Sequence, residues 1–226
     1  MPAAVNEMKI LSPAACGTGA PGFSPEVLER AARAYLSVFS NPTWNVWRFD
    51  PTRDAAVDGR TGAVVRTVAQ QAKNILTETC VSGRRSVVRL LEAPQGIAGF
   101  AWGWETTMDD LNREKLKLSD AAFGRLTDRA AAVGIDPSAP IFYLSQVGLD
   151  ERYRGAGLGK ALVAATLEGA ACLGLADRVV LRTSCRRDLP FRYFLREGAE
   201  VLAEGFDDIG NVVMTGPRNV PQNARR

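Results

Sequence analysis

Histidine is absent from all 226 residues. That one absence removes the Ser-His-Asp and Cys-His catalytic machines, a histidine-ligated metal and a histidine proton shuttle. Any general base must therefore be a carboxylate, a tyrosinate, an amine or water. Cysteine is scarce. Cys16, Cys80, Cys172 and Cys185 lie far apart and form no C-x-x-C pair, which argues against a disulfide framework or a zinc site. No metal is expected, and reduced thiols fit the cytoplasm. Cys172 falls in an apolar helical pattern and reads as a small hydrophobe. Long hydrophobic runs are missing too: none approaches the roughly 20 residues that span a bilayer. The apolar stretch Met8–Leu11 is also too short for a secretory signal.

A strong charge of one sign is the next absence. Lysine and arginine number 28 against 25 acidic residues, so the net charge is 28 − 25 = +3. Three of those cations, Arg218, Arg225 and Arg226, stand in the last nine residues. The body is close to neutral, so a nucleic-acid footprint is not indicated. What is present suits one globular domain: 46% hydrophobic residues and a mean hydropathy of −0.08. Neither a repeat nor a low-complexity tract interrupts it.

Residues 1–22 read as an N-terminal extension with a short strand near Met8–Leu11. Residues 23–216 read as a single domain, and 217–226 as a mobile tail. Ser24 is placed to cap a helix with Pro25 in its first turn. Leu28, Ala31, Ala32, Tyr35, Leu36 and Phe39 follow at helical spacing, and the helix must stop before Asn41-Pro42. Thr43–Phe49 carries Trp44, Trp47 and Phe49 and reads as a loop, either a core plug or one wall of an acceptor pocket. A second helix is expected between Gly62 and Thr79, with Val64, Val65, Val68, Ala72, Ile75 and Leu76 inward.

Ser86–Leu91 and Ile97–Trp104 flank Ala93-Pro94-Gln95-Gly96 and predict a hairpin. Residues 106–140 look like a helical insertion, with Ser119 capping a helix that ends near Gly134. Ile141–Leu149 reads as a buried strand. A helix from about Leu158 to Leu173 follows, with Leu158, Ala161, Leu162, Ala165 and Leu167 inward and Gly174 at its C-terminal cap. Arg178–Thr183 is the next strand, which makes a β-loop-α-β unit with parallel strands. A short helix from Leu189 stops at Gly198, and Val201–Phe206 pairs with Asn211–Thr215.

Between that buried strand and helix stands Arg154-Gly155-Ala156-Gly157-Leu158-Gly159-Lys160. Alternating glycines let successive N–H groups point outward, and the positive end of the helix adds to them, so the loop reads as an anion site, the alternative being glycines that serve only a tight βα turn. Spacing decides which anion. A Walker A loop needs glycine where Arg154 stands and Ser or Thr where Ala161 stands. A dinucleotide fold needs G-x-G-x-x-G and an acidic residue at the end of the following strand, where this chain has Thr183-Ser184.

The loop has the R-x-x-G-x-G form of the Gcn5-related N-acetyltransferases (GNAT), and the chain resembles a bacterial member of that superfamily. Leu149-Asp150-Glu151-Arg152-Tyr153 is similar to that family's approach to the loop. Phe39-Ser40-Asn41-Pro42-Thr43-Trp44-Asn45 is similar to a Phe-Asn-x-Pro-Pro-Trp-Asn signature of some bacterial members. The resemblance implies an α/β (α+β) fold with a splayed mixed central β-sheet of about six or seven strands, flanked by helices on both faces. It implies acetyl-CoA as co-substrate, the pantetheine arm held by backbone of Val147, Gly148 and Leu149. The pyrophosphate would be held by N–H groups of Gly155 through Lys160, with Arg154 beside them.

The same resemblance places a thiolate-protonating tyrosine four residues before the glycine that ends the last helix. Here that glycine is Gly198 and the position is Phe194. Tyr193 is one residue away, about 100° around the helix. Phe194 in the core with Tyr193 at the surface is one reading, and Tyr193 as the acid is the other. The asparagine often found seven residues before that tyrosine is Arg187, either a surface charge or a contact to a CoA phosphate. Glu105 is the first candidate for general base, followed by Asp109 and Asp110, and a solvated loop charge is the alternative reading of each. Trp44, Trp104 and Asp110 are the candidate acceptor-binding residues. The expected reaction is N-acetylation of a small amine, a metabolite or an antibiotic, by a monomer or homodimer. A protein or peptide N-acetyltransferase and a non-catalytic acyl-CoA-binding module stay open as alternatives.

Overall fold

The structure, a computed structural model, describes residues 8–12, 23–40, 47–79, 84–184, 188–204 and 210–217. Within these, β1 (Lys9–Leu11) and α1 (Pro25–Phe39) precede three short strands, β2 (Trp47–Asp50), β3 (Ala55–Asp58) and β4 (Val64–Thr67). Then come α2 (Val68–Thr79), β5 (Ser86–Ala93), β6 (Gly96–Thr106) and α3 (Met108–Leu111). A π-helical turn (Asn112–Leu116) leads to α4 (Asp120–Ala132) and β7 (Ile141–Leu149). A 3-10 turn (Glu151–Tyr153) opens onto α5 (Leu158–Cys172), β8 (Val179–Ser184), α6 (Asp188–Arg196), β9 (Val201–Glu204) and β10 (Asn211–Thr215).

Seven strands form the main sheet in the order β1-β5-β6-β7-β8-β10-β9, flanked by helices. It is mixed: β1 with β5, β8 with β10 and β10 with β9 run antiparallel, while β7 and β8 run parallel. The parallel pair is the expected consequence of the α5 crossover. Its register runs only from Phe142↔Val179 to Leu144↔Leu181 and does not extend to Ser145–Leu149.

By its contacts the chain divides into two compact units, residues 1–102 with 146–166, and residues 103–145 with 167–226. In the first, Ser24 accepts a hydrogen bond from Val27 N and starts α1, which buries Leu28, Ala31, Ala32 and Leu36. Its core then stacks Tyr35, Phe39, Phe100 and Trp102, with ring centroids 4.6 to 5.9 Å apart. The Trp102 indole, itself buried, donates to Glu78 Oε2 at 3.1 Å. Such a bond is what a buried Nε1–H requires. In the second unit Trp104 meets Tyr143 edge-on at 5.4 Å. The close approach of β6 to β7 there is made at Gly103, where a Cβ would overlap Tyr143 O and stand 2.6 Å from Phe142 Cζ.

Several expectations need correction. Trp47–Phe49 is strand rather than loop, and Val64 and Val65 are strand rather than helix, exposed at 51% and 48%. Both belong to a second sheet, β2-β3-β4, in which Trp47 pairs with Asp58 and Ala55 with Thr67. β-Branched side chains in a row favour the extended chain over a helix, so α2 starts only at Val68. On α5 the buried stripe is Leu162, Val163, Thr166, Leu167 and Ala170, while Ala161 and Cys172 are exposed. Ser119 holds the cap position of α4 but its side chain makes no cap bond. The Trp44 segment, Cys16, Cys80, Cys185, Arg187 and the tail beyond residue 217 lie outside the described residues.

Candidate active site

The loop after β7 is built by a short chain of local bonds. Asp150 N donates to Ala98 O at 2.9 Å, tying the end of β7 to β6. The Asp150 carboxylate accepts from Arg152 N at 3.0 Å and from its guanidinium at 3.0 and 2.7 Å. That guanidinium bond, chiefly, holds the Asp150 carboxyl below its ordinary pKa. Tyr153 turns inward among Leu91, Ala93, Ala98, Ala101 and Leu162, and its hydroxyl donates to Gln95 Oε1 at 2.5 Å. One side of the turn is thus anchored in the core while the next four residues, Arg154–Gly157, are exposed.

Gly155 and Gly157 have φ of +84° and +77°. L-residues with a Cβ resist this region, so the loop's course depends on glycine at both places. The first intrahelical bond of α5 runs from Ala161 N to Gly157 O at 3.1 Å. The N–H groups of Leu158 and Gly159 precede it, and the helix offers them no acceptor. Arg154 Nε donates to Leu149 O at 3.4 Å, bringing a guanidinium to the loop's start. Lys160, in the first turn of α5, is exposed. Leu149 and Leu158 pack together with Val147 on the Tyr153 cluster. The strand that approaches the loop and the helix that leaves it therefore share one core. Donors, a helix start and flanking cations make this surface fit a diphosphate.

The family model for the acetyltransferase (GNAT) family matches residues 85–190. The chain carries a GNAT acetyltransferase domain. Over residues 85–190 it is similar to the acyltransferases of that family. The GNAT fold is shared with an acetyltransferase from Streptococcus pneumoniae at a TM-score of 0.52 and 15% identity, covering 93% of this chain and 98% of that one. It is shared with Arabidopsis thaliana NAA60 in complex with a bisubstrate analogue, at 0.53 and 13% identity, covering 92% and 95%. A Corynebacterium glutamicum protein described as histone acetyltransferase HPA2 and related acetyltransferase gives 0.52 and 18%, covering 93% and 96%. At such identities the likeness speaks for the fold alone. No curated protein matches the chain in sequence.

Within the GNAT domain, Val147, Gly148, Leu149 and Arg154 through Lys160 all fall in the first compact unit. Glu105, Trp104, Asp110 and Tyr193 fall in the second. Glu105 is half-buried near the end of β6. Trp104 is 1% exposed, with Tyr143 at its edge and Lys115 Nζ 5.3 Å from its ring centroid, so its surface is already covered by protein. Asp110 is half-buried, forms an ion pair with Arg113 and receives no exposed aromatic from Trp104. Asp109 is exposed in the first turn of α3.

On α6, Phe194 is buried and Tyr193 half-buried, their rings edge-on at 5.1 Å. The helix ends as expected: Gly198 has φ +83° and Ala199 N donates to Phe194 O at 2.9 Å. Burial first, and then the Glu197 charge, push the Tyr193 phenol up to about 12. Trp44 and Arg187 lie outside the described residues. The loop's positioning pair, Asp150 with Arg152, was not singled out by sequence reasoning. An aspartate two residues before the N–H it accepts is the Asx-turn signal that would have found it. Among the described residues no helix is long and apolar enough to cross a membrane. Nor, among them, does a group of three or more histidine, cysteine or acidic residues suit a metal ion.

Proposed function

We propose that this chain is an acetyl-CoA-dependent N-acetyltransferase of a small amine, a metabolite or an antibiotic. The observation that carries the donor half is the exposed turn Arg154–Gly157 with left-handed glycines at its centre and α5 starting directly behind it. In this reading the N–H groups of Gly155 through Lys160 hold the pyrophosphate. Backbone of Val147, Gly148 and Leu149 holds the pantetheine arm. Fixed N–H donors aimed at the thioester oxygen stabilise it more as it becomes anionic, which lowers the barrier to acyl transfer.

The acceptor must arrive at the carbonyl as a free amine. Glu105 takes the ammonium proton, directly or through water, and the amine nitrogen then attacks the carbonyl carbon. The carbon–sulfur bond breaks, CoA leaves as the thiolate, and the amide product loses its remaining extra proton to solvent or to that thiolate. Tyr193 donates a hydrogen bond to the leaving sulfur rather than a whole proton. With its phenol near 12 and a free thiol near roughly 8.5, full transfer is uphill by about three orders of magnitude.

The test is direct. Purified full chain is mixed with acetyl-CoA and a broad amine panel, and free CoA thiol is followed with a thiol reagent. Amine-dependent thiol release with a stoichiometric acetylated product is expected. Acetyl-CoA binding in calorimetry without release on any amine would make the protein a non-catalytic acyl-CoA-binding module instead.

A further inference from the structure

The second compact unit holds a cavity that the acyl-transfer chemistry leaves unused. It lies between the start of α4 and the edge strand β9, with a volume of about 590 Å³. Small-molecule sites fall in the range of roughly 300–1,000 Å³. Its lining includes the cations Lys117, Arg125 and Arg129 and one carboxylate, Glu204, a balance of 3 − 1 = +2.

The local structure holds those cations together. Asn112 pins the π-helical turn by accepting Lys117 N at its carbonyl, 2.8 Å, and Leu118 N at Oδ1, 2.8 Å. Lys117 is thereby fixed at φ +58°, and its Nζ donates to Arg113 O. Arg125 and Arg129 are one helical turn apart on α4 and share a face. Arg129 Nε donates to Val201 O at 3.1 Å, which fixes its guanidinium against β9 and leaves the fork's other donors uncommitted to that bond. Arg125 makes no hydrogen bond or ion pair among the described residues. Ser119 adds a hydroxyl that is not used to cap α4.

We propose that this cavity binds a small multivalent anion, a polycarboxylate or a phosphate. Cations gathered around a cavity repel one another, and a planar guanidinium fork matches both anions in two-point geometry. An added peptide strand is the poorer occupant. β9 is four residues long, and the Val201 carbonyl is already engaged by Arg129. The cavity shares no residue with the glycine loop or with Val147–Leu149.

Citrate and inorganic phosphate are the probes, titrated separately into the full chain by calorimetry against chloride of equal ionic strength. Arg125→Glu should weaken saturable binding of at least one of them tenfold or more. Arg60→Glu, an exposed charge reversal far along the chain, should leave that binding unchanged. Lys117→Gly gives an independent variant, since glycine accepts the left-handed backbone while removing a cation, and it should weaken binding threefold or more. Amide exchange should slow at Ala121–Phe123 and Leu202–Glu204 when the anion is bound. Absence of saturable binding, or equal weakening by Arg125→Glu and Arg60→Glu, would overturn the proposal.

Discussion

The ring of Phe100 lies against the bare Cα of Gly148. A Cβ there would overlap Phe100 Cζ and stand 2.7 Å from Cε2 and 2.8 Å from Cε1. Both residues are buried, and Phe100 also stacks on Trp102 and Tyr35. The ring therefore cannot swing away without disturbing its neighbours. Gly148→Ala should destabilise the fold by about 1–3 kcal/mol, the usual cost of overpacking. At roughly 2–4 °C per kcal/mol for a chain of this size, Tm should fall by several degrees. The double variant Gly148→Ala/Phe100→Leu should recover part of that loss. A single variant as stable as the wild type would show that the ring moves freely.

The glycine loop predicts a different signature. Gly155 and Gly157 are exposed and left-handed, with nothing within 4 Å of an added Cβ. Substitution there strains the backbone by about 1–2 kcal/mol per residue without disturbing packing. Gly155→Val and Gly157→Val should therefore each lower Tm by about 2–8 °C while raising the Kd for CoA tenfold or more, read by calorimetry. If CoA binds the variants as tightly as the wild type, the pyrophosphate is held elsewhere.

What was legible beforehand follows the strength of local signals. Ser24 with Pro25, the Ala93–Gly96 turn, and glycines at 174 and 198 each fix a boundary through one residue's backbone chemistry, and the elements stand where those residues put them. The three-stranded sheet was not legible. Val64–Thr67 is four residues long, half of it faces solvent, and its pairing with Ala55–Val57 is made by the backbone, which leaves no periodicity to read. The course of the glycine loop was legible because only glycine readily takes the left-handed backbone found at 155 and 157. An acceptor site uses side chains converging from several elements. Trp104 illustrates the loss: its spacing marks a large ring near a carboxylate, but only the fold shows the ring covered by Tyr143 and Lys115.

Asp150 supplies a prediction in pH. Its carboxyl ionises below its ordinary value of 3.8 because Arg152 and nearby N–H groups bind the charged form. A group depressed in the folded state adds stability that is complete above its unfolded pKa and is lost as pH falls through the folded pKa. Asp150→Asn should therefore be less stable than the wild type at pH 7. Asparagine keeps an oxygen for the Arg152 N–H, so the loss is that of the charged pair with an exposed arginine, about 0.2–1 kcal/mol. The gap in Tm between the two should narrow as pH is lowered below 4. A gap that is constant from pH 7 to pH 3 would assign the loss to packing rather than to charge.

The division of labour between Glu105 and Tyr193 is the sharpest test of the proposed chemistry. If Glu105 removes the ammonium proton, Glu105→Gln should lower kcat by about 10²–10⁴-fold, the usual contribution of a general base. The KM for acetyl-CoA should change little, since the donor contacts lie on the glycine loop. The variant should also regain rate as pH approaches the pKa of the amine, where free acceptor no longer needs a base. Tyr193→Phe should act differently. A phenol near 12 stays protonated throughout the working range, and its hydrogen bond to the sulfur is neutral to charged, worth about 1.5–3 kcal/mol at most. The variant should lose no more than about a hundredfold in kcat with an unchanged pH–rate profile. A Tyr193→Phe variant whose profile loses its alkaline limb below pH 10 would make the phenol a true proton donor. A Glu105→Gln variant with kcat within threefold of wild type would move the base to water or another carboxylate.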